Sequence, residues 1–105
     1  MDGTLERLQA TISARRDADP ASSYVAKLSA SGRAQIAQKV GEEAVETVIA
    51  AIEGDPGAIT NEAADLIFHL AVLLADCGLS FSDVLAELDR REGVSGLAEK
   101  AARAG

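Results

Sequence analysis

Apolar side chains recur along this chain at helical spacing, and the breaks between recurrences fall at glycine, proline and clustered small polar residues. Leu5, Leu8 and Ile12 stand three and four apart and are followed by Arg15 and Arg16, which suit the negative end of a helix dipole. The pattern predicts a helix over about residues 3 to 16. Asp17-Ala18-Asp19-Pro20 ends it. Ser22 and Ser23 can cap a short helix carrying Tyr24, Val25 and Leu28 as far as Gly32, although the same stretch is equally compatible with an ordered loop.

A long helix is predicted from Arg33 to Glu53, with only Gly41 inside and Gly54 as its stop. Asp55 then offers an N-cap and Pro56 a first-turn proline, so a second long helix runs from Pro56 to about Cys77 and stops at Gly78. The chain restarts at Ser80, which caps a helix carrying Phe81, Val84, Leu85 and Leu88 to Arg91, with Leu79 placed to pack on Val84. Ser95 can open one more turn in the tail from Val94 to Gly105. No repeat or strand pattern interrupts this order. The expected fold is all-α: an antiparallel bundle of four to five helices in a single domain spanning residues 1 to 105.

The two long helices carry different patterns. At about 100° per residue, the Arg33 to Glu53 helix gathers Ala37, Val40, Ala44, Val45, Val48, Ile49 and Ile52 on one broad face, which is the expected core side. Glu43 lies off that face, on a seven-residue stripe with Ile36 and Ala50. Glu46 follows it at i+3, and Glu42 is turned toward solvent. The Pro56 to Cys77 helix is apolar nearly all round, as in a helix buried in the middle of its protein or of an oligomer. One copy of so short a chain looks too small to cover both helices, so a homodimer is expected. One polar stripe, Glu62, Asp65, His69 and Asp76, runs down the second helix within about 60° on the wheel.

Composition narrows the function. Hydrophobic residues make up 48% of the 105 positions, which argues against global disorder. Seventeen acids against ten bases give a net charge of −7, which argues against a nucleic-acid partner. The uncharged run Leu66 to Ala75 is too short to span a membrane, and no membrane partner is expected. Cys77 is alone and reads as a small buried hydrophobe at a helix end. With no basic-then-apolar segment at the start, the expected setting is a reducing cytoplasm.

Charged side chains are seldom buried without partners, so the stripe on the second helix needs one. The short turn at Gly54 to Pro56 would bring Glu43 and Glu46 back antiparallel against Glu62 and Asp65. Four facing carboxylates repel, and a hard divalent cation relieves them. An all-oxygen ligand set favours Mg²⁺, with Mn²⁺ as a substitute, and Mg²⁺ commonly completes its shell with water and substrate phosphates. A cation held this way would let an acidic protein bind a phosphorylated small molecule. A single helical glutamate is ordinarily solvated, and it is the paired Glu43-x-x-Glu46 and Glu62-x-x-Asp65 spacing that raises the metal reading above that. His69, on an apolar helix, reads more readily as a hydrogen-bonded core histidine than as a base. A di-iron bundle would need Glu-x-x-His on two helices, and the only histidine here has Leu66 three residues before it.

The run Ile36-Ala37-Gln38-Lys39-Val40-Gly41-Glu42-Glu43-Ala44-Val45-Glu46, then Glu62-Ala63-Ala64-Asp65-Leu66-Ile67-Phe68-His69-Leu70 and Gly78-Leu79-Ser80, with Ser23-Tyr24-Val25-Ala26-Lys27-Leu28 upstream, resembles the phosphoribosyl-ATP pyrophosphohydrolases of histidine biosynthesis. The acids alone resemble the wider all-α nucleoside-triphosphate pyrophosphatases. The resemblance implies Mg²⁺-dependent hydrolysis of phosphoribosyl-ATP to phosphoribosyl-AMP and pyrophosphate, with Glu43, Glu46, Glu62 and Asp65 as catalytic metal ligands; it also points to a homodimer. Lys27 and Lys39 are the expected phosphate contacts, against the alternative of surface lysines lying along apolar neighbours. Two other functions compete: a house-cleaning pyrophosphatase acting on other nucleotides, and a non-enzymatic helical dimerisation module.

Overall fold

The computed structural model describes residues 3–92. They form five helices in the predicted order: α1 (Thr4–Arg15), α2 (Tyr24–Ser31), α3 (Arg33–Glu53), α4 (Pro56–Asp76) and α5 (Phe81–Arg91). No strand occurs among the described residues, and the further turn expected from Ser95 lies outside them.

Local chemistry sets each boundary. The Ser23 side chain accepts from the Ala26 amide at 3.2 Å, so the segment after Pro20 is a capped helix rather than a loop. Gly54 closes α3 at φ 80°, a left-handed conformation that costs glycine nothing, and its N–H bonds the Ala50 carbonyl. Asp55 then caps α4 by accepting from the Gly57 amide at 3.1 Å, with Pro56 at the first turn. Two residues thus reverse the chain, and α3 lies antiparallel along α4 as the main helix pair. At α5, Asp83 accepts from the Ser80 amide at 2.9 Å.

The core joins Ile12 of α1, Val25 and Leu28 of α2, Ile36 of α3, Ala71 and Val72 of α4 and Phe81 of α5. Ile12, Ile36 and Val72 are fully enclosed, and burial of such a side chain stabilises by roughly 1.5–3 kcal/mol. Asp76 fastens three elements at one end. Its carboxylate meets Arg33 at 2.9 Å and Arg16 at 3.5 Å, and Arg33 also donates to the Asp76 carbonyl at 2.9 Å. Asp76 therefore belongs to a structural ion-pair knot, and its place on the polar stripe of α4 does not bring it to the other acids.

Three expectations need correction. The side of α3 turned inward is the narrow stripe Ile36, Glu43 and Ala50, while Val45, Val48, Ile49 and Ile52 of the broad apolar face are exposed, Ile52 by 81%. The reason is that α3 has two apolar sides, and α4 takes the one that includes Glu43. Helix α4, expected to be enclosed by its own protein or by an oligomer, buries only His69, Ala71 and Val72 within one chain, because the other four helices cover it in part. Cys77 is exposed, since α4 ends before it. By length and composition alone α4 could cross a bilayer, with a mean hydropathy of 1.4, but its Glu62, Asp65 and His69 are engaged with α3 and α2.

Candidate metal centre

The α3–α4 hairpin determines which acids meet. Glu43 lies ten residues before the end of α3 and Asp65 nine residues after the start of α4, so antiparallel packing sets them level. Glu62, one turn before Asp65, shares its face. Carboxylate oxygens of Glu43, Glu62 and Asp65 lie within 4.8 Å of one another. Glu43 is buried, with 7% of its surface exposed, and the other two are half-buried.

Glu46 stands differently. It is exposed and outside this trio, yet it stands close enough to Glu43 and Glu62 to raise the pKa of both. Glu42 points away and accepts from Gln38 at 3.1 Å, with the Lys39 ammonium at 3.4 Å; these two neighbours lower its pKa.

Electrostatics show the cost of the arrangement. Burial, then the neighbouring Glu46, push the Glu43 carboxyl above the usual carboxylate range, and the neighbouring Glu46, then burial, do the same for Glu62. Oε2 of Glu43 and Oε2 of Glu62 are enclosed and have no hydrogen-bond partner among the described residues. Buried oxygens of this kind are rare and call for an ion, a water or a proton. One cation is already close, with Lys39 Nζ 3.7 Å from Glu43 Oε1.

These donors fit a hard divalent ion. All are carboxylate oxygens, and two have unsatisfied lone pairs inside the protein. The only histidine is not available as a ligand, because Tyr24 occupies Nε2 and the Asp65 carbonyl occupies Nδ1, each at 2.8 Å. His69 is thus the hydrogen-bonded core histidine that the sequence favours.

The structure brings Lys27 of α2 and Lys39 of α3 to one shallow groove of about 400 Å³, lined also by Tyr24, Leu28, Ser31 and Gln35. Lys39 connects this groove to the acidic cluster through Glu43. Two features went unseen in the sequence: the Tyr24–His69 bond and the Asp76 knot. The one-turn spacing of Asp65 and His69 is the only trace of the first, and the second joins residues 43 and 60 positions apart.

The family described as phosphoribosyl-ATP pyrophosphohydrolase matches residues 5–92 of this chain. A phosphoribosyl-ATP pyrophosphatase of Rhizorhabdus wittichii is 70% identical over 103 residues, covering 98% of this chain and 97% of that protein. Proteins of the same name from Erythrobacter litoralis and Zymomonas mobilis are 65% and 64% identical, each over 95% of this chain and over 96% and 94% of their own lengths.

Proposed function

The chain belongs to the phosphoribosyl-ATP pyrophosphohydrolase family, and from that premise we propose that Glu43, Glu46, Glu62 and Asp65 form the Mg²⁺-dependent catalytic centre of this enzyme of histidine biosynthesis. The reaction hydrolyses phosphoribosyl-ATP to phosphoribosyl-AMP and pyrophosphate. The observation that carries the reading is the pair of enclosed, unpartnered oxygens of Glu43 and Glu62 beside Asp65. Glu43, Glu62 and Asp65 would hold Mg²⁺, or Mn²⁺ in its place, with Glu46 at the exposed edge. When bound, the ion supplies positive charge that offsets the charge developing on the phosphate oxygens.

The protein's own residues do the remaining work. Lys27 and Lys39 hold the phosphate chain in the groove, Lys39 standing where groove and cluster meet. Hydrolysis joins a water oxygen to phosphorus and breaks one phosphoanhydride bond, and a carboxylate of the cluster accepts the proton released by the water. Burial of Glu43 limits the screening of its own charge by bulk water.

The same reading includes a second copy of the chain. Val45, Val48, Ile49 and Ile52 form an exposed branched-aliphatic face on α3, opposite the side that α4 covers, and a homodimer would bury it. A cytoplasmic location suits the exposed free thiol of Cys77.

Pyrophosphate release from phosphoribosyl-ATP and from a panel of nucleoside triphosphates, with and without Mg²⁺, tests the proposal. Metal-dependent release that favours phosphoribosyl-ATP is expected. Faster release from ordinary or damaged nucleotides would transfer the protein to the house-cleaning class, and no release from any substrate would leave a helical dimerisation module.

A further inference from the structure

Behind the carboxylates lies a connection that neither the metal ligands nor the groove lysines use. His69 follows Asp65 by one helical turn and is 6% exposed. Its Nδ1 is 2.8 Å from the Asp65 carbonyl oxygen, which can only accept, so Nδ1 carries a proton. In the neutral ring Nε2 is then the acceptor, and the Tyr24 hydroxyl, 2.8 Å away, donates to it. The Tyr24 ring stacks on Phe68 with centroids 6.0 Å apart, and it lines the groove together with Lys27 and Lys39. Helix α2 has only eight residues, too few to persist alone, so its placement depends on tertiary contacts: Val25 and Leu28 hold it in the core, and the Tyr24–His69 bond ties down its first residue.

We infer that His69 is a positioning residue: through the Tyr24 hydroxyl it fixes α2, and with it Lys27, relative to the carboxylates on α3 and α4. The inference rests on the phosphoribosyl-ATP reading of the site. Its consequence is selective. Loosening the start of α2, with Val25 and Leu28 still in the core, weakens the hold on the substrate's phosphates, whereas Glu43, Glu62 and Asp65 stay anchored on the α3–α4 hairpin, so the loss falls on KM rather than kcat.

The chain has one histidine and one tyrosine, which makes the test direct. In tag-free, metal-free protein, ¹⁵N NMR of the single imidazole is expected to show a protonated Nδ1 and an accepting Nε2, and Tyr24→Phe is expected to move the Nε2 resonance. In steady-state assays Tyr24→Phe raises KM for phosphoribosyl-ATP about fivefold, the order of effect of one lost hydrogen bond, with kcat within about twofold. His69→Leu reproduces that rise, the double variant adds little to it, and His69→Gln, which keeps an acceptor near Nε2, restores most of the affinity. A proton on Nε2 in the free protein would overturn the inference. So would an unmoved KM in Tyr24→Phe beside an active wild type, even if the variant melts lower, since that outcome makes the bond purely structural. An inactive wild type counts instead against the functional reading, and the imidazole spectrum still decides the hydrogen bond.

Discussion

Replacing Glu43 by glutamine removes one charge from the acidic cluster while keeping the shape of the side chain. At 4.8 Å and an effective dielectric near 20, two unit charges repel by about 3 kcal/mol. Glu43 faces two such acids, Glu62 and Asp65, and the attraction of the Lys39 ammonium, 3.7 Å away, offsets more than one of these repulsions but not both. Loss of the Glu43 charge is therefore expected to stabilise the metal-free protein by about 1 to 2 kcal/mol at pH 7, which for a domain of this size raises Tm by roughly 5 to 15 °C. The pH dependence has a definite sign. Burial, followed by the nearby Glu46, raises the Glu43 pKa above its ordinary 4.5, so its contribution to stability is fully present below pH 4.5 and is lost as pH rises through the folded-state value. Wild-type protein in chelator should lose stability relative to Glu43→Gln over that rise. Millimolar Mg²⁺ reverses the order, because an ion present at a hundred times its Kd adds roughly 2.7 kcal/mol to the wild type and much less to the variant. The assay is thermal melting by circular dichroism at fixed protein concentration, across pH, in chelator and in Mg²⁺. A Glu43→Gln protein that melts below the wild type in chelator at pH 7, or that keeps the full Mg²⁺ shift, would refute the reasoning.

Three further outcomes follow from the same geometry. Glu62→Gln is expected to abolish release of pyrophosphate from phosphoribosyl-ATP while leaving the far-UV spectrum unchanged, and wild-type rates from it would remove Glu62 from the centre. Lys27→Met, at an exposed position lining the groove, is expected to raise KM about tenfold at unchanged Tm; a KM equal to the wild type's would return Lys27 to the solvated surface. Ile52→Glu, at the most exposed branched residue of α3, is expected to shift sedimentation from dimer to monomer without loss of helix, and an unaltered sedimentation coefficient would place the interface elsewhere.

Turns and caps are local chemistry, and for that reason four of the five helices were legible in the chain, whereas α2 was equally compatible with an ordered loop. Gly54, Asp55 and Pro56 each do at their own position what the residue type allows, and the hairpin follows. The grouping of Glu43 with Ile36 and Ala50 was visible in a seven-residue spacing that the fold preserves. The inward side of α3 was not visible. Val45, Val48, Ile49 and Ile52 are more apolar than the stripe that is buried, and hydrophobicity alone does not say which of two apolar faces α4 covers. Tyr24 with His69, and Asp76 with Arg16 and Arg33, join positions 45, 60 and 43 residues apart, and no periodicity within one helix encodes such pairs. Glu46 differs from Glu43 only in its angle on α3, which is enough to leave it in solvent at the edge of the trio.

The acids of the cluster all fall between positions 43 and 65, inside one hairpin whose turn is two residues long. Contacts of such short sequence separation form early, because little loop entropy is lost in closing them. Like charges are thus forced together near the start of folding, before α1 and α5 have any reason to dock. A divalent cation bound by the nascent hairpin would act on the folding limb of a chevron rather than on the unfolding limb alone, so that the proposed centre would also be a nucleus of assembly.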